Sequence, residues 1–453
     1  MNSKSILKGV KSFIINDFKK QPIYDVAIIG GGIVGLATGR ELLKRNPNLR
    51  LVIVEKENEI APHQSSHNSG VIHCGIYYKP GSLRAKLCTK GSKLMYDYCN
   101  ENDIKYENCG KLIVATKEKE FQQLEQLYKR GIENGVPNIK LLESKEQLLS
   151  IEPFISGGLR AIHTPSTGII DYKIVSQSFA NDITEKFGND SKSEIKLNFN
   201  AKNFQYNSND KLLLISNDDG KSLNKEQEQS ILTRFAIVCG GMNSDRIAKV
   251  AYGNDEPSIV PFRGSFLQFK PEYKHLIKGN VYPLPNPSFP FLGVHFTKRI
   301  NGEIWLGPNA VLSFDREGYN FTDFNLKDTI DLLKNPGLFK LAEKHWRYGL
   351  AELYRDFNKD HFIELLKPYM PNITVDMLEY GGSGVRSQAI SKSGDLIEDF
   401  IFDTPSDIPI IHVRNSPSPA ATSSLAIANE IVDLVQTNFK DLNSSQNFNF
   451  NFK

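Results

Sequence analysis

The chain holds 453 residues, 40% of them hydrophobic and 24% charged, with a formal net charge of +3 and five cysteines. At roughly 150 residues per domain the length asks for two or three domains, and the composition excludes a disordered chain, a collagen and a disulfide-stapled miniprotein. Apolar runs such as Val26–Ile29 and Leu51–Val54 are strand-sized, far short of the ~20 residues that cross a bilayer. No basic stripe is visible, so nucleic acid is not an expected partner.

Charge is concentrated at the start. Residues 1–22 carry five lysines against one acid, Asp17, which leaves the rest of the chain at a net −1. Ile6, Val10, Phe13 and Ile14 recur at helical spacing. A basic amphipathic helix of this kind predicts a mitochondrial targeting segment and a mitochondrial location, although arginine is absent from it. A disordered tail or one lying on a membrane surface is the alternative. Cys74, Cys88, Cys99, Cys109 and Cys239 match no zinc spacing; reduced thiols are expected, and no metal site.

From Tyr24 onward the pattern is strand (Asp25–Ile29), Gly-rich turn, helix (Leu36–Lys44) and strand (Leu51–Val54). This is a βαβ unit and implies a parallel sheet. The stretch 116–150 is rich in Glu, Lys and Gln and reads as helical, and 216–230 as a polar loop or hairpin insertion. A second apolar strand, Phe235–Val238, runs into Cys239-Gly240-Gly241, with a helix over Asn243–Val250. Residues 260–315 read as strands and turns and 325–379 as helices, before Gly381-Gly382-Ser383-Gly384 breaks the chain. A strand at His412–Val413 then leads through Ser416-Pro417-Ser418-Pro419-Ala420 into a helix over Ala421–Val435. The two strand-plus-glycine signals are separated by unlike material. That favours one cofactor domain interrupted by a substrate domain, with segments 23–108, 165–250 and 380–438 in the first, 109–164 and 251–379 in the second, and a disordered tail over 439–453.

Gly30, Gly32 and Gly35 fit G-x-G-x-x-G. The first glycine permits a tight turn, the second lets backbone approach a pyrophosphate, and the third lets helix pack on strand. The following helix start offers free N–H groups to phosphate. Glu55 ends the second strand, 20 residues past Gly35, placed to accept from ribose hydroxyls. An acid there favours FAD or NAD over NADP.

After Lys56 comes the segment from His63 to Gly75, HQSSHNSGVIHCG, small, polar and suited to lie along a flavin and its pyrophosphate. It resembles the D-amino-acid oxidase-like superfamily of FAD oxidoreductases. Further stretches, YYKPGSLRAKLC, NCGKLIVAT, PFRGSF, YPLPNPSFPFLGVHFT, LGPNAVLSFDREGY, GVRSQAIS and SPSPAATSS, resemble its L-2-hydroxyglutarate dehydrogenase branch, over about Tyr24 to Val435. The resemblance implies an α/β fold: a Rossmann-like FAD-binding domain with a parallel sheet, interleaved with an α+β substrate domain on an antiparallel sheet. It also implies FAD as cofactor and oxidation of (S)-2-hydroxyglutarate, a 2-hydroxy dicarboxylate, to 2-oxoglutarate with hydride passing to flavin N5. The electrons then pass to a quinone or an electron-transfer flavoprotein, with peripheral membrane association possible. An FAD-dependent amino-acid oxidase, a glycerol-3-phosphate dehydrogenase and a non-catalytic escort protein of the same fold are the alternatives.

Oxidising an α-hydroxy acid needs a base for the hydroxyl proton and a cation for the carboxylate. His295, His67 and His73 are the candidate bases, His295 first because it lies in a Gly293-Val294-His295-Phe296 strand of the aromatic-rich region. A histidine of the flavin loop is alternatively a covalent flavin tether, as in some relatives. Arg386 matches the superfamily's carboxylate-binding arginine, a planar fork suited to bidentate contact. The second carboxylate asks for another donor, with Arg263 and Tyr282 as candidates. For the cofactor, the resemblance adds Lys56, Ser66, Asn68, Ser69 and Gly240, and Ser418 and Ala420 at the start of the last helix. In the superfamily that helix aims its N-terminus at the flavin pyrimidine. Many relatives carry glycines there; this chain has Ser-Pro-Ser-Pro-Ala.

Overall fold

A computed structural model of the chain describes residues 21–188, 192–218, 229–285 and 292–438. The expected leader, but for its last two residues, the tail over 439–453 and most of the expected 216–230 insertion lie outside the described residues.

The chain opens with β1 (Ile23–Ile29), α1 (Ile33–Arg45) and β2 (Leu51–Val54). Then follow β3 (Val71–Ile72), α2 (Leu83–Glu101), β4 (Tyr106–Glu107) and β5 (Lys111–Ala115). Next come α3 (Phe121–Glu133), β6 (Lys140–Leu142), α4 (Lys145–Ile151), β7 (Arg160–Thr164), β8 (Gly168–Ile170) and α5 (Tyr172–Asn181). The middle of the chain supplies β9 (Glu194–Lys196), β10 (Asn203–Asn207), β11 (Leu212–Ser216), β12 (Ser230–Val238) and α6 (Ser244–Val250). After these run β13 (Ser258–Phe269), β14 (Asn280–Pro283), β15 (His295–Lys298), β16 (Ile304–Gly307) and β17 (Val311–Leu312). Three helices follow, α7 (Leu326–Leu333), α8 (Pro336–Phe357) and α9 (Lys359–Glu364). The chain closes with β18 (Leu378–Ile390), β19 (Leu396–Ile397), β20 (Ile401–Asp403), β21 (Ile410–Asn415) and α10 (Ala420–Asn438).

The first sheet runs β10-β11-β12-β1-β2-β9, with β21 paired to β12 and β20 to β21. β1 is parallel to both β2 and β12, and β12 to β21. Such strands are covered on both faces and read as unbroken apolar runs. Val26 and Ile28 of β1 accordingly pack with α1, α5 and α10, while Ala27 and Ile29 face a second core with Val52, Phe204 and Leu213. Burying each such Leu or Ile contributes about 1.5–3 kcal/mol.

The second sheet has ten strands, β19-β18-β13-β16-β15-β14-β5-β7-β6 with β17 beside β13. Its pairs are antiparallel except β14 with β5. Leu112, Val114, Phe269, Phe296 and Leu306 bury one of its faces against Phe362, Leu366 and Met370 of the α9 region. The α/β class and the parallel-plus-antiparallel pair of sheets are those expected. A three-stranded sheet, β3-β8-β4, takes its first strand from the His63–Gly75 segment.

Four expectations are corrected. The stretch 116–150 is not one helix: Gly135, at φ +72, ends α3, and β6 then pairs antiparallel with β7 before α4 starts. α1 begins at Ile33 rather than Leu36, so Gly35 lies inside its first turn. Gly381-Gly382-Ser383-Gly384 does not break the chain but sits inside the 13-residue β18. These glycines answer to close approach instead. A Cβ at Gly382 would lie 2.7 Å from the Trp305 ring, and one at Gly384 2.7 Å from the carbonyl oxygen of His67. Finally, the boundary expected at 380 falls within β18, and we place the return to the first sheet between Ile397 and Ile401.

Candidate active site

The glycine turn sits where the C-terminal ends of β1, β2 and β12 converge, the usual ligand edge of a parallel sheet. Gly30 has φ +113, and a Cβ there would stand 2.3 Å from the carbonyl oxygen of Cys239, so only glycine fits. A Cβ at Gly35 would stand 2.1 Å from the carbonyl oxygen of Gly30. At Gly32 the added Cβ would meet only Ser65 Oγ, at 3.4 Å. That side of the turn is open to a ligand and not blocked by protein. The buried Glu55 carboxylate accepts from the Gly31 N–H at 2.8 Å and the Glu57 N–H at 3.0 Å, which holds it at the end of β2. Gly240 follows Cys239, whose N–H donates to Ile29 at 2.8 Å, so it lies beside the turn.

The flavin-loop residues divide. Ser65, not Ser66, reaches the start of α1, where its Oγ accepts from the Ile33 N–H at 3.0 Å. Ser66 instead donates to the Ala61 carbonyl at 2.6 Å. Asn68 is used locally: Nδ2 donates to the carbonyls of Gln64 and Ser65, and Oδ1 accepts from the Gly70 N–H. It therefore shapes the loop in which the cofactor contact is expected. Ser69 is half-buried beside Gly70. The Lys56 ammonium is drawn to Glu57 and to Glu317, 2.8 Å away, with His63 Nε2 at 3.2 Å. It thus sits within the one acidic-His group, Glu57, His63 and Glu317, that the described residues offer as metal-sized.

At the start of α10, Arg84 Nε holds the Ser418 carbonyl at 2.8 Å and its guanidinium covers the Tyr78 ring. The Ser418 residue is exposed, and Ala420 begins the helix. Thr422 Oγ1 accepts from the His73 N–H at 3.1 Å and lies 2.9 Å from the Tyr172 hydroxyl. This ties the first turn of α10 to the flavin loop. Asn415 Oδ1 and Ser416 Oγ, just ahead of α10, are buried with no hydrogen-bond partner among the described residues. A phosphate-sized glycine cradle, an acid at the end of β2, an open helix start and two orphaned polar atoms fit a bound FAD.

The second group lies on the large sheet. The rings of Tyr282 and His295 pack at a tilt of 38°, with centroids 3.9 Å apart. Lys111 stands two residues before Ile113, the register partner of Tyr282, so both side chains leave the same face. The Lys111 ammonium lies over the rings of Tyr77 and Tyr282, at 4.9 and 5.2 Å. His295 Nδ1 is 2.8 Å from the Gly293 carbonyl. That oxygen only accepts, so Nδ1 carries the proton and Nε2 keeps its lone pair. Burial pushes His295 down to about 3, against the Gly293 hydrogen bond, and the nearby cations Arg386 and Lys111 push the same way. His73 is also held at about 3, by burial first and then by Lys111, His295 and Arg84. Burial lowers the Arg386 guanidinium too, opposed by Tyr348, Glu352 and Tyr282. The group of His295, His73, Tyr282, Lys111 and Arg386 is thus electrically coupled, net cationic and poor in water.

Two expected members lie elsewhere. His67 is exposed, stacked on Tyr319 with centroids 3.8 Å apart, and its electrostatic neighbours are His63, Lys173 and Arg299. Arg263 is buried and committed: it donates to Asp356 at 2.8 Å and to the Asn320 carbonyl at 2.7 Å. Asn309 Nδ2 braces the same Asp356 at 2.5 Å. Arg263 therefore links β13 to α8, apart from the group around His295. Lys111, Tyr77 and Ser65 are additions that motif reading missed. One signal for Lys111 was present: a lysine heading an otherwise apolar strand, KLIVA, is costly to bury without a purpose.

Residues 25–434 match the family model described as FAD dependent oxidoreductase. The chain is 88% identical to the Dictyostelium discoideum protein named L-2-hydroxyglutarate dehydrogenase, mitochondrial, over 98% of this chain and 99% of that one. It is 46% identical to the human protein of the same name, over 92% of this chain and 89% of that one. Among solved structures, the FAD-bound L-alpha-glycerophosphate oxidase of Mycoplasma pneumoniae aligns with a TM-score of 0.71 at 24% identity, covering 92% of this chain and 95% of that one. Glycine oxidase of Geobacillus kaustophilus aligns with a TM-score of 0.64 at 17% identity, over 91% and 94%; both likenesses concern the fold. With the glycine cradle, the two interleaved sheets and these relatives agreeing, the chain belongs to the FAD-dependent oxidoreductase family and, within it, to the L-2-hydroxyglutarate dehydrogenases.

Proposed function

We propose that this chain oxidises L-2-hydroxyglutarate to 2-oxoglutarate in the mitochondrion and hands the electrons to a membrane quinone. The observation that carries the reading is the cationic group around the buried His295 and the half-buried Arg386, in a chain so close to relatives named for this activity. FAD, held at the glycine turn and Glu55, would supply the two-electron oxidant. Arg386 holds the C1 carboxylate through its planar fork. His295 Nε2, free of a proton, takes the hydroxyl proton as the C2–O bond becomes a carbonyl. The tilted Tyr282 ring packs against the imidazole and restrains it.

The test is dye-linked turnover of both enantiomers of 2-hydroxyglutarate, with lactate, malate, glycerol 3-phosphate and amino acids as controls, across a pH series. The L enantiomer should dominate; preference for a phosphate or an amine would overturn the reading. The pH profile has a sign. kcat/KM reports the free protein, in which His295 is held at about 3, so it should show no acid limb near the ordinary histidine value of ~6.5. Two bound carboxylates offset the neighbouring cations and raise His295, so the acid limb of kcat should lie at higher pH. A limb near 6.5 in kcat/KM would pass the base role to a histidine outside the group.

The quinone reading rests on the outer surface. Among the described residues no helix is long and apolar enough to cross a membrane. Yet Leu326 and Leu333 of α7 and Phe339, Trp346 and Leu350 of α8 are more than half exposed. Lys327, Lys334, Lys340, Lys344 and Arg347 are exposed among them. An apolar stripe flanked by cations suits an anionic bilayer interface. The protein should therefore float with cardiolipin-containing vesicles and lose that on Trp346→Glu with Leu350→Glu. Wild type remaining in the aqueous fraction, with turnover on an electron-transfer flavoprotein, would overturn it.

A further inference from the structure

We infer that Lys111, with the Tyr77 hydroxyl, forms the subsite for the distal carboxylate and sets the preference for a dicarboxylate over a monocarboxylate. The inference rests on the proposed substrate and goes beyond it by naming the groups that read the far end.

Three observations converge. Lys111 is 1% exposed, and its ammonium has no hydrogen-bond partner among the described residues. A buried ammonium without acceptors is costly, and the two tyrosine faces beside it return only part of that as cation–π attraction. The Tyr77 hydroxyl is likewise buried and unpartnered, with burial holding it well above the usual phenol range, so it remains a proton donor. Two unanswered donors therefore stand side by side. Lastly, they adjoin the reaction group, because the Tyr282 ring is common to both. It lies beneath the Lys111 ammonium and packs at a tilt against His295. Arg386, on β18, and Lys111 both act electrostatically on His295. A substrate carrying a carboxylate at each end therefore has two cations near the proposed base to meet. The donor expected for this role, Arg263, is already paired with Asp356.

The experiment compares the holoenzyme with Lys111→Met and Tyr77→Phe on two substrates, L-2-hydroxyglutarate and L-2-hydroxyvalerate, which differs in lacking the distal carboxylate. Binding of glutarate and of valerate is followed separately by perturbation of the flavin absorbance. Charge-assisted hydrogen bonds predict that Lys111→Met lowers the ratio of kcat/KM between dicarboxylate and monocarboxylate about 100-fold, and Tyr77→Phe about tenfold. Glutarate binding should weaken by similar factors relative to valerate. An unchanged ratio, whether both substrates decline together or neither does, overturns the assignment. So does a selective change in the flavin spectrum or potential, which would place the lysine against the ring system. Should Lys111→Met fail to fold, the Tyr77→Phe ratio decides alone. Failure of the underlying reading looks different: wild type itself would then show no preference for hydroxyglutarate.

Discussion

Replacing Arg386 with methionine should lower kcat/KM for L-2-hydroxyglutarate about 1,000-fold while FAD content stays at one per chain. The magnitude follows from removing a desolvated charge that pairs with a substrate charge and orients the reacting carbon. Arg386→Lys should recover only a small part, because a point charge cannot make the bidentate contact. Flavin titration, thermal melting and steady-state kinetics on the three proteins check this. Loss of FAD in step with activity would move Arg386 from the substrate to the cofactor. A rise in KM at unchanged kcat would show that it contributes affinity without positioning.

The second large effect separates two glycines of one turn. Gly32→Val should give a soluble, colourless protein with cofactor affinity reduced at least 1,000-fold. Its side chain meets only the Ser65 hydroxyl within the protein, at an ordinary 3.4 Å, and so projects into the space a pyrophosphate needs. Gly35→Val should fail to accumulate as folded protein, because its Cβ is driven to 2.1 Å from the Gly30 carbonyl oxygen, a backbone clash that no rotamer relieves. Absorbance near the flavin bands, circular dichroism and melting of the apoproteins distinguish the two. A yellow, fully loaded Gly32→Val protein would mean that the turn does not seat the pyrophosphate. A well-folded Gly35→Val protein would mean that α1 and β1 are packed less tightly than their geometry requires.

What was legible in the sequence was local. Gly30, Gly32, Gly35 and Glu55 belong to one βαβ unit whose spacing encodes its shape, and the apolar runs of β1, β2 and β12 announce strands buried on both faces. What was misread depends on partners distant in the chain. The glycines at 381, 382 and 384 look like a break until Trp305 and the His67 carbonyl are brought against them. Arg263 and Arg386 are each an arginine within a strand. Only the fold brings Asp356 beside the first. Lys111 carried a signal, a charge at the head of an apolar strand, but its meaning needs β14 alongside to put Tyr282 next to it. The helical reading of 116–150 failed because β6 is three residues long, too short to leave a period of two.

The interleaving of the two sheets has a consequence for how the protein matures. The phosphate seat begins at Gly30, near the front of the chain, but is fastened by α10 near its back. There Thr422 grips the flavin loop, and Ala426, Ile427 and Ile431 close over α1. A growing or partly translocated polypeptide therefore has the turn without its fastening and cannot retain the prosthetic group. Severing the last helix should therefore yield chains that never acquire colour, however much vitamin the cell supplies.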